Sequence, residues 1–239
     1  MVIASNIRDF INTTPMGRVL TINDFDVQPQ YQQALVKALN RMVTKGELAK
    51  ISKGKYYKPK QTLFGSLKPA SSEIVKDFLE KNGNIIGYIT GTAAFASMGL
   101  TTQISSAIVV GSNKYRRPLA RGEYRISFLL QPNTITKDNI QLLRILDAIK
   151  LIRDIPATTP DESIVCLKKI IKDLDATQQT ELMELSQGYT PYVRALLGAI
   201  YEEIGIDASS LKVGLSGVTY YKLPISESVL PNKSNWRII

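Results

Sequence analysis

The stretch from Pro29 to Lys60 constrains the chain most, because three signals of different kinds follow one another within it. Leu35, Ala38, Leu39 and Met42 recur at i, i+3, i+4 and i+7, which gives a helix one apolar face. Pro29 suits the first turn of that helix. Gly46, after Thr44-Lys45, supplies a stop where the backbone turns left-handed at little cost. Leu48 to Ile51, the turn Ser52-Lys53-Gly54-Lys55 and the pair Tyr56-Tyr57 then read as a β-hairpin. Two shorter helices are expected before it. One carries Ile3, Ile7, Phe10 and Ile11, and the other covers 22–25 behind the capping-box pair Thr21 and Asp24. Three short helices and a hairpin is the order of a winged helix-turn-helix.

Pro59 to Pro69 reads as an extended, basic linker. Beyond it the spacing predicts helices over 72–81 and 91–98, then strands over 104–110 and 124–130 with a polar, basic segment between them. Helical periodicity returns over 137–151, 164–174, 178–185 and 191–204, and strand-like alternation over 211–223 precedes a Pro- and Ser-containing tail. The expected fold class is α+β. A winged helix-turn-helix domain at 1–61 is followed by a larger mixed α/β, mostly helical domain at 62–239, with the linker at about 59–69.

Composition narrows the chemistry. Among 239 residues there is one cysteine, Cys166, and no histidine. That excludes an internal disulfide, Ser-His and Cys-His nucleophile pairs, and His-ligated zinc. No apolar run approaches the roughly 20 residues that a bilayer-spanning helix needs. The opening residues 1–6 lack the basic and apolar regions of a signal peptide, so the expectation is a cytoplasmic protein. The net charge is +9. Residues 1–60 hold ten basic and four acidic side chains, a net of +6, so the surplus that suggests a polyanionic partner is concentrated there.

Gln30, Gln33, Lys37 and Arg41 fall on one stripe of the third helix, opposite its apolar face. Gln can read adenine, and Lys or Arg can read guanine or hold phosphate, from a helix lying in the major groove. Lys50, Lys53 and Lys55 with Tyr56 add a basic, aromatic wing suited to backbone or minor-groove contact. A solvated helix face and edge-protecting lysines are the plain alternative. Lys114, Arg116, Arg117 and Arg121 form a second candidate polyanion surface, against the alternative of a solvated loop. No catalytic set, metal site or cofactor site emerges. Gly111-Ser112 after a strand would suit a nucleotidyltransferase, but Glu123 stands alone where that chemistry needs paired carboxylates. The pairs Asp161-Glu162, Asp173/Asp175 and Glu202-Glu203 read as helix-end or helix-face acids, and Cys166 as a small core residue.

Ala34-Leu35 through Asn40-Arg41-Met42, Gly46, Leu48, Lys50-Ile51, Gly54 and Tyr56 resemble the A-L-x-R-L-x-x-x-G-x-L-x-R-I-x-x-G-x-Y region of the AbiEi-type antitoxins. Gly91-Thr92-Ala93-Ala94 and Gly99-Leu100-Thr101-Thr102-Gln103 look like a second segment of that family. The likeness covers residues 1 to about 130 well and the remainder loosely. It implies a bacterial regulator that represses its own operon at duplex DNA and opposes a co-encoded nucleotidyltransferase-like toxin. Two other readings stay open: a solitary transcription factor with an effector-binding or dimerisation domain, and an RNA-binding protein using the loop at 114–125.

Overall fold

A computed structural model describes residues 2–63 and 65–239, with the side chains of residues 2–6 left aside. Ile3, the first apolar position of the opening helix, is therefore outside the described side chains. Along the chain run α1 (Val2–Thr13), β1 (Val19–Thr21), α2 (Gln32–Thr44), β2 (Ala49–Ser52), β3 (Lys55–Tyr57), β4 (Lys60–Thr62) and β5 (Gly65–Leu67). There follow α3 (Ser71–Ile74), α4 (Lys76–Leu79), β6 (Glu80–Lys81), β7 (Asn84–Ile85), β8 (Gly87–Thr90), α5 (Thr92–Ser97), β9 (Ala107–Ser112), β10 (Leu119–Arg121) and β11 (Tyr124–Leu130). The rest is helical: α6 (Ile140–Lys150), α7 (Pro160–Lys172), α8 (Ala176–Ser186) and α9 (Pro191–Glu203). The fold is α+β. Among the described residues no helix is long and apolar enough to cross a membrane.

The chain divides into two compact units, residues 1–77 with 120–124, and residues 78–119 with 125–239. The boundary thus falls at 77/78, not 61/62, and the expected linker is itself structured. Lys60 pairs with Leu67 and Thr62 with Gly65 in an antiparallel hairpin, β4–β5.

In the N-terminal unit β3 is the central strand of a three-stranded sheet, between β1 and β2. Tyr56 faces Lys50 on one side and Leu20 on the other. The first strand was not expected, because Thr21 reads locally as a helix cap. It does both jobs. Its backbone N–H and hydroxyl donate to the Asp24 carboxylate at 2.6 and 2.7 Å, opening a single 3₁₀ turn, Ile22–Asp24. A second 3₁₀ turn, Pro29–Tyr31, leads into α2. The core packs Ile7 and Ile11 of α1 against Leu35, Leu39 and Met42 of α2, with Leu20, Phe25, Leu48 and Tyr56. Gly46 takes φ +75°, the left-handed stop expected of it.

The second unit has a mixed sheet in which β8 and β9 run antiparallel and β9 and β11 parallel. The expected helix over 72–81 is broken into two single turns and the hairpin β6–β7. Asn82 and Gly83, both at positive φ, form its turn. Behind the sheet α6 is buried along most of its length, beside α9. Trp236 closes that core over Gly198, where any Cβ would fall 2.1 Å from the indole. The strand-like alternation at 211–223 makes only a 3₁₀ turn, Ser209–Lys212, and one bridge between Tyr221 and Ile238.

One polar cluster lies inside this unit. Asp147 of α6 is 1% exposed and accepts the hydroxyls of Tyr88 (2.7 Å), Thr90 (2.7 Å) and Tyr189 (2.9 Å). The Gln131 amide donates to both tyrosine oxygens, at 2.8 and 2.7 Å. Burial pushes the carboxyl above its usual range, against the pull of those three hydroxyls and of Lys150. Gly111, half of the Gly-Ser pair that ends β9, serves the same cluster. A Cβ there would stand 2.4 Å from the Tyr88 ring.

Candidate nucleic-acid interface

Helix α2 buries Leu35, Leu39 and Met42 and so turns Gln33, Lys37 and Arg41 outward, because positions three and four apart share a face. Gln33 and Lys37 make no hydrogen bond or ion pair among the described residues. Gln30 sits in the 3₁₀ turn before the helix and donates to Gln28 at 3.1 Å. Arg41 also lines a cleft of about 420 Å³ with Ile7, Arg8, Met42 and Lys45. Asp9 lines the same cleft and Arg8 meets Glu47 at 4.0 Å, so of these cations Lys45 is the one that extends the basic track. Lys45 continues the four-residue step of the stripe at the end of α2, whereas Arg8 does not stand out in sequence.

The hairpin β2–β3 divides the remaining expected contacts. Lys53, at the turn, is exposed. Lys50 is exposed too, but its ammonium is tied to Asn40 Oδ1 of α2 at 3.3 Å and lies 5.7 Å from the Tyr56 ring centre. Tyr56 is not a contact residue. At 1% exposure it is the centre of the core, since it belongs to the middle strand. Lys55 is largely covered and pairs with Asp77 at 3.2 Å, so it is no free wing cation.

Arg121 departs furthest from its expected role. Only 6% exposed, it makes a two-pronged pair with Asp77 at 2.6 and 2.7 Å and donates to the Ile74 carbonyl. Burial tends to raise the Asp77 carboxyl, but Arg121 and Lys55 overturn this and hold it below the ordinary range. Asp77 is the residue that sequence reasoning missed here, for it is 44 positions from Arg121. In the second unit Lys114 and Arg117 are exposed, whereas Arg116 is half-buried and lies over the rings of Phe78 and Phe128.

The acid pairs have structural work. Glu162 closes a capping box with Thr159, and Asp175 caps α8 through Gln178 N–H at 2.8 Å. Glu202 accepts from Asn235 and the Trp236 indole, while Glu203 pairs with Lys168. Cys166 packs against the core beside Met98, and burial raises its thiol.

The model of a family of unknown function, DUF6088, matches residues 6–182. The chain belongs to that family. No curated protein matches the DUF6088 chain. Among solved structures, the RV2827C protein from Mycobacterium tuberculosis resembles it with a TM-score of 0.53 at 13% identity, over 93% of this chain and 85% of that one. At that identity the likeness is one of fold.

Proposed function

We propose that this DUF6088 chain is a DNA-binding regulator that represses its own operon, its N-terminal unit serving as a winged helix-turn-helix. The observation that carries the reading is the outward stripe of α2. Gln33, Lys37 and Arg41 stand exposed opposite a buried apolar face, with Lys53 free at the neighbouring hairpin turn. Gln and Lys at that spacing suit base edges, and Lys53 suits the phosphate backbone. The +6 on residues 1–60 supports the same partner. A gel-shift series on upstream duplex against scrambled duplex tests it. Preferential binding is expected, with a log–log salt slope of about −0.9 per phosphate contacted. Equal weak binding to both duplexes overturns the proposal.

The two segments that resemble AbiEi-type antitoxins support a second role, antagonism of a co-encoded nucleotidyltransferase-like toxin. Co-expression of the full chain with the neighbouring reading frame reads this directly, as rescued growth. A neighbour that is not toxic, or toxicity that the chain leaves unchanged, sinks the antitoxin role and leaves the DNA-binding one standing.

A further inference from the structure

The connection between β9 and β10, residues 113–118, reads Asn-Lys-Tyr-Arg-Arg-Pro. It is fastened at several points. The Asn113 side-chain amide donates to the carbonyls of Gln131 and Asn133 at 2.7 and 2.6 Å, and the Lys114 backbone N–H to Ser112 Oγ at 3.2 Å. The Arg116 guanidinium lies 5.2 Å from the Phe78 ring centre and 5.9 Å from that of Phe128, two rings that meet edge-on at 5.0 Å. Arg116 is thus occupied as a staple.

What the staple leaves outside is Tyr115, 80% exposed, between exposed Lys114 and Arg117. None of these three side chains meets a hydrogen-bond, ion-pair or ring partner among the described residues. A tyrosine normally contributes to a fold through the area its ring buries, and this one buries little. The surrounding charge is uncompensated along the chain as well. From Lys81 to Gly122 the sequence has no Asp or Glu.

We propose that Lys114, Tyr115 and Arg117 form a binding surface for single-stranded RNA, with Tyr115 stacking on an unpaired base and the two cations holding flanking phosphates. An exposed ring that is to stack needs a base whose face is free. Duplex DNA hides its bases in the stack, whereas RNA is read at loops and ends where bases are splayed onto aromatic side chains. A fastened loop suits this role, because the ring is positioned before the ligand arrives and little order is lost on binding. The surface lies on the second unit and does not depend on the duplex-binding reading of the first.

The test uses the full chain and fluorescence anisotropy on an unstructured RNA of about 12 nucleotides, the DNA strand of the same sequence, and a duplex. The RNA should bind. Tyr115→Ala should weaken it about five- to a hundredfold, while Tyr115→Phe, which keeps the ring, should bind like the parent. Lys114→Ala and Arg117→Ala should each flatten the single-strand salt slope by about 0.7. Binding of the promoter duplex should be unchanged in Tyr115→Ala, which separates this proposal from the DNA-binding one. An RNA that the parent chain does not bind, or binds equally after Tyr115→Ala, overturns it. So does tighter binding of the DNA strand than of the RNA.

Discussion

Truncating Asp147 to alanine should destabilise the second unit by about 3 kcal/mol, and the figure follows from what surrounds the carboxylate. Three hydroxyls point at it, from Tyr88, Thr90 and Tyr189. Each buried donor left without an acceptor costs about 1–3 kcal/mol. Tyr189 has a poor substitute in the Leu143 carbonyl at 3.4 Å, so Tyr88 and Thr90 bear most of the loss. Those two donors sum to about 2–6 kcal/mol, and removing a buried charge returns part of it, which brings the figure to about 3 kcal/mol. Asp147→Asn is the decisive comparison. Its oxygen can still accept from Tyr88 and Thr90 while its amide donates to the Tyr189 oxygen, so it should cost about 1 kcal/mol at most. Urea unfolding followed by the fluorescence of Trp236 reads this unit specifically, since the chain has one tryptophan and it is 2% exposed. If alanine costs under about 0.5 kcal/mol, or asparagine costs as much as alanine, the cluster is not held together by the carboxylate as described.

Stability should also depend on pH through the same residue. The folded carboxyl titrates above the unfolded value of about 3.9, so the native state binds more protons in between. Its contribution is full below about pH 4 and is lost as pH rises through the folded value. The gap between parent and Asp147→Asn should therefore narrow from pH 4 towards neutrality, and a gap that widens contradicts the assignment. Gly198→Ala should lower the urea midpoint, because overpacking against Trp236 costs about 1–3 kcal/mol and helix propensity returns only about 1. A shifted tryptophan emission should accompany it. On promoter DNA, Lys53→Ala should weaken every sequence alike and flatten the salt slope by about one, and Lys37→Ala should relax base preference. Lys55→Ala should leave the salt slope unchanged in the same gel shifts, since its ammonium already pairs with Asp77.

The helical parts of this fold are legible because their signals are local. The apolar stripe of α2 and the capping boxes of α7 and α8 lie within a turn or two of the residues they organise. Strands such as β1 and β8 are only three and four residues long and are fixed by partners far along the chain, so periodicity has little to act on. Asn82-Gly83 shows an ambiguity of reading. It reads as a helix stop, but the same pair is a strong hairpin signal, and the hairpin is what forms. Among the site residues, outward-facing Lys37 and Lys53 follow from spacing alone. Tyr56, Lys55 and Arg121 do not, because a tyrosine in a central strand and a cation beside a distant carboxylate look the same in sequence as exposed ones.

The N-terminal unit reclaims residues 120–124 after the chain has left it, and this bears on how the protein can be cut or recombined. A fragment ending at residue 77 would keep Asp77 but lose Arg121, the guanidinium that grips it and the Ile74 carbonyl. It would also lose Gly122, whose missing side chain lets it sit against the Ile51 carbonyl, where a Cβ would come within 2.8 Å. The two units are consequently not interchangeable cassettes. A chimera that grafts a new N-terminal unit onto this chain must bring a matching segment inserted between 119 and 125, as one graft at two places in the gene.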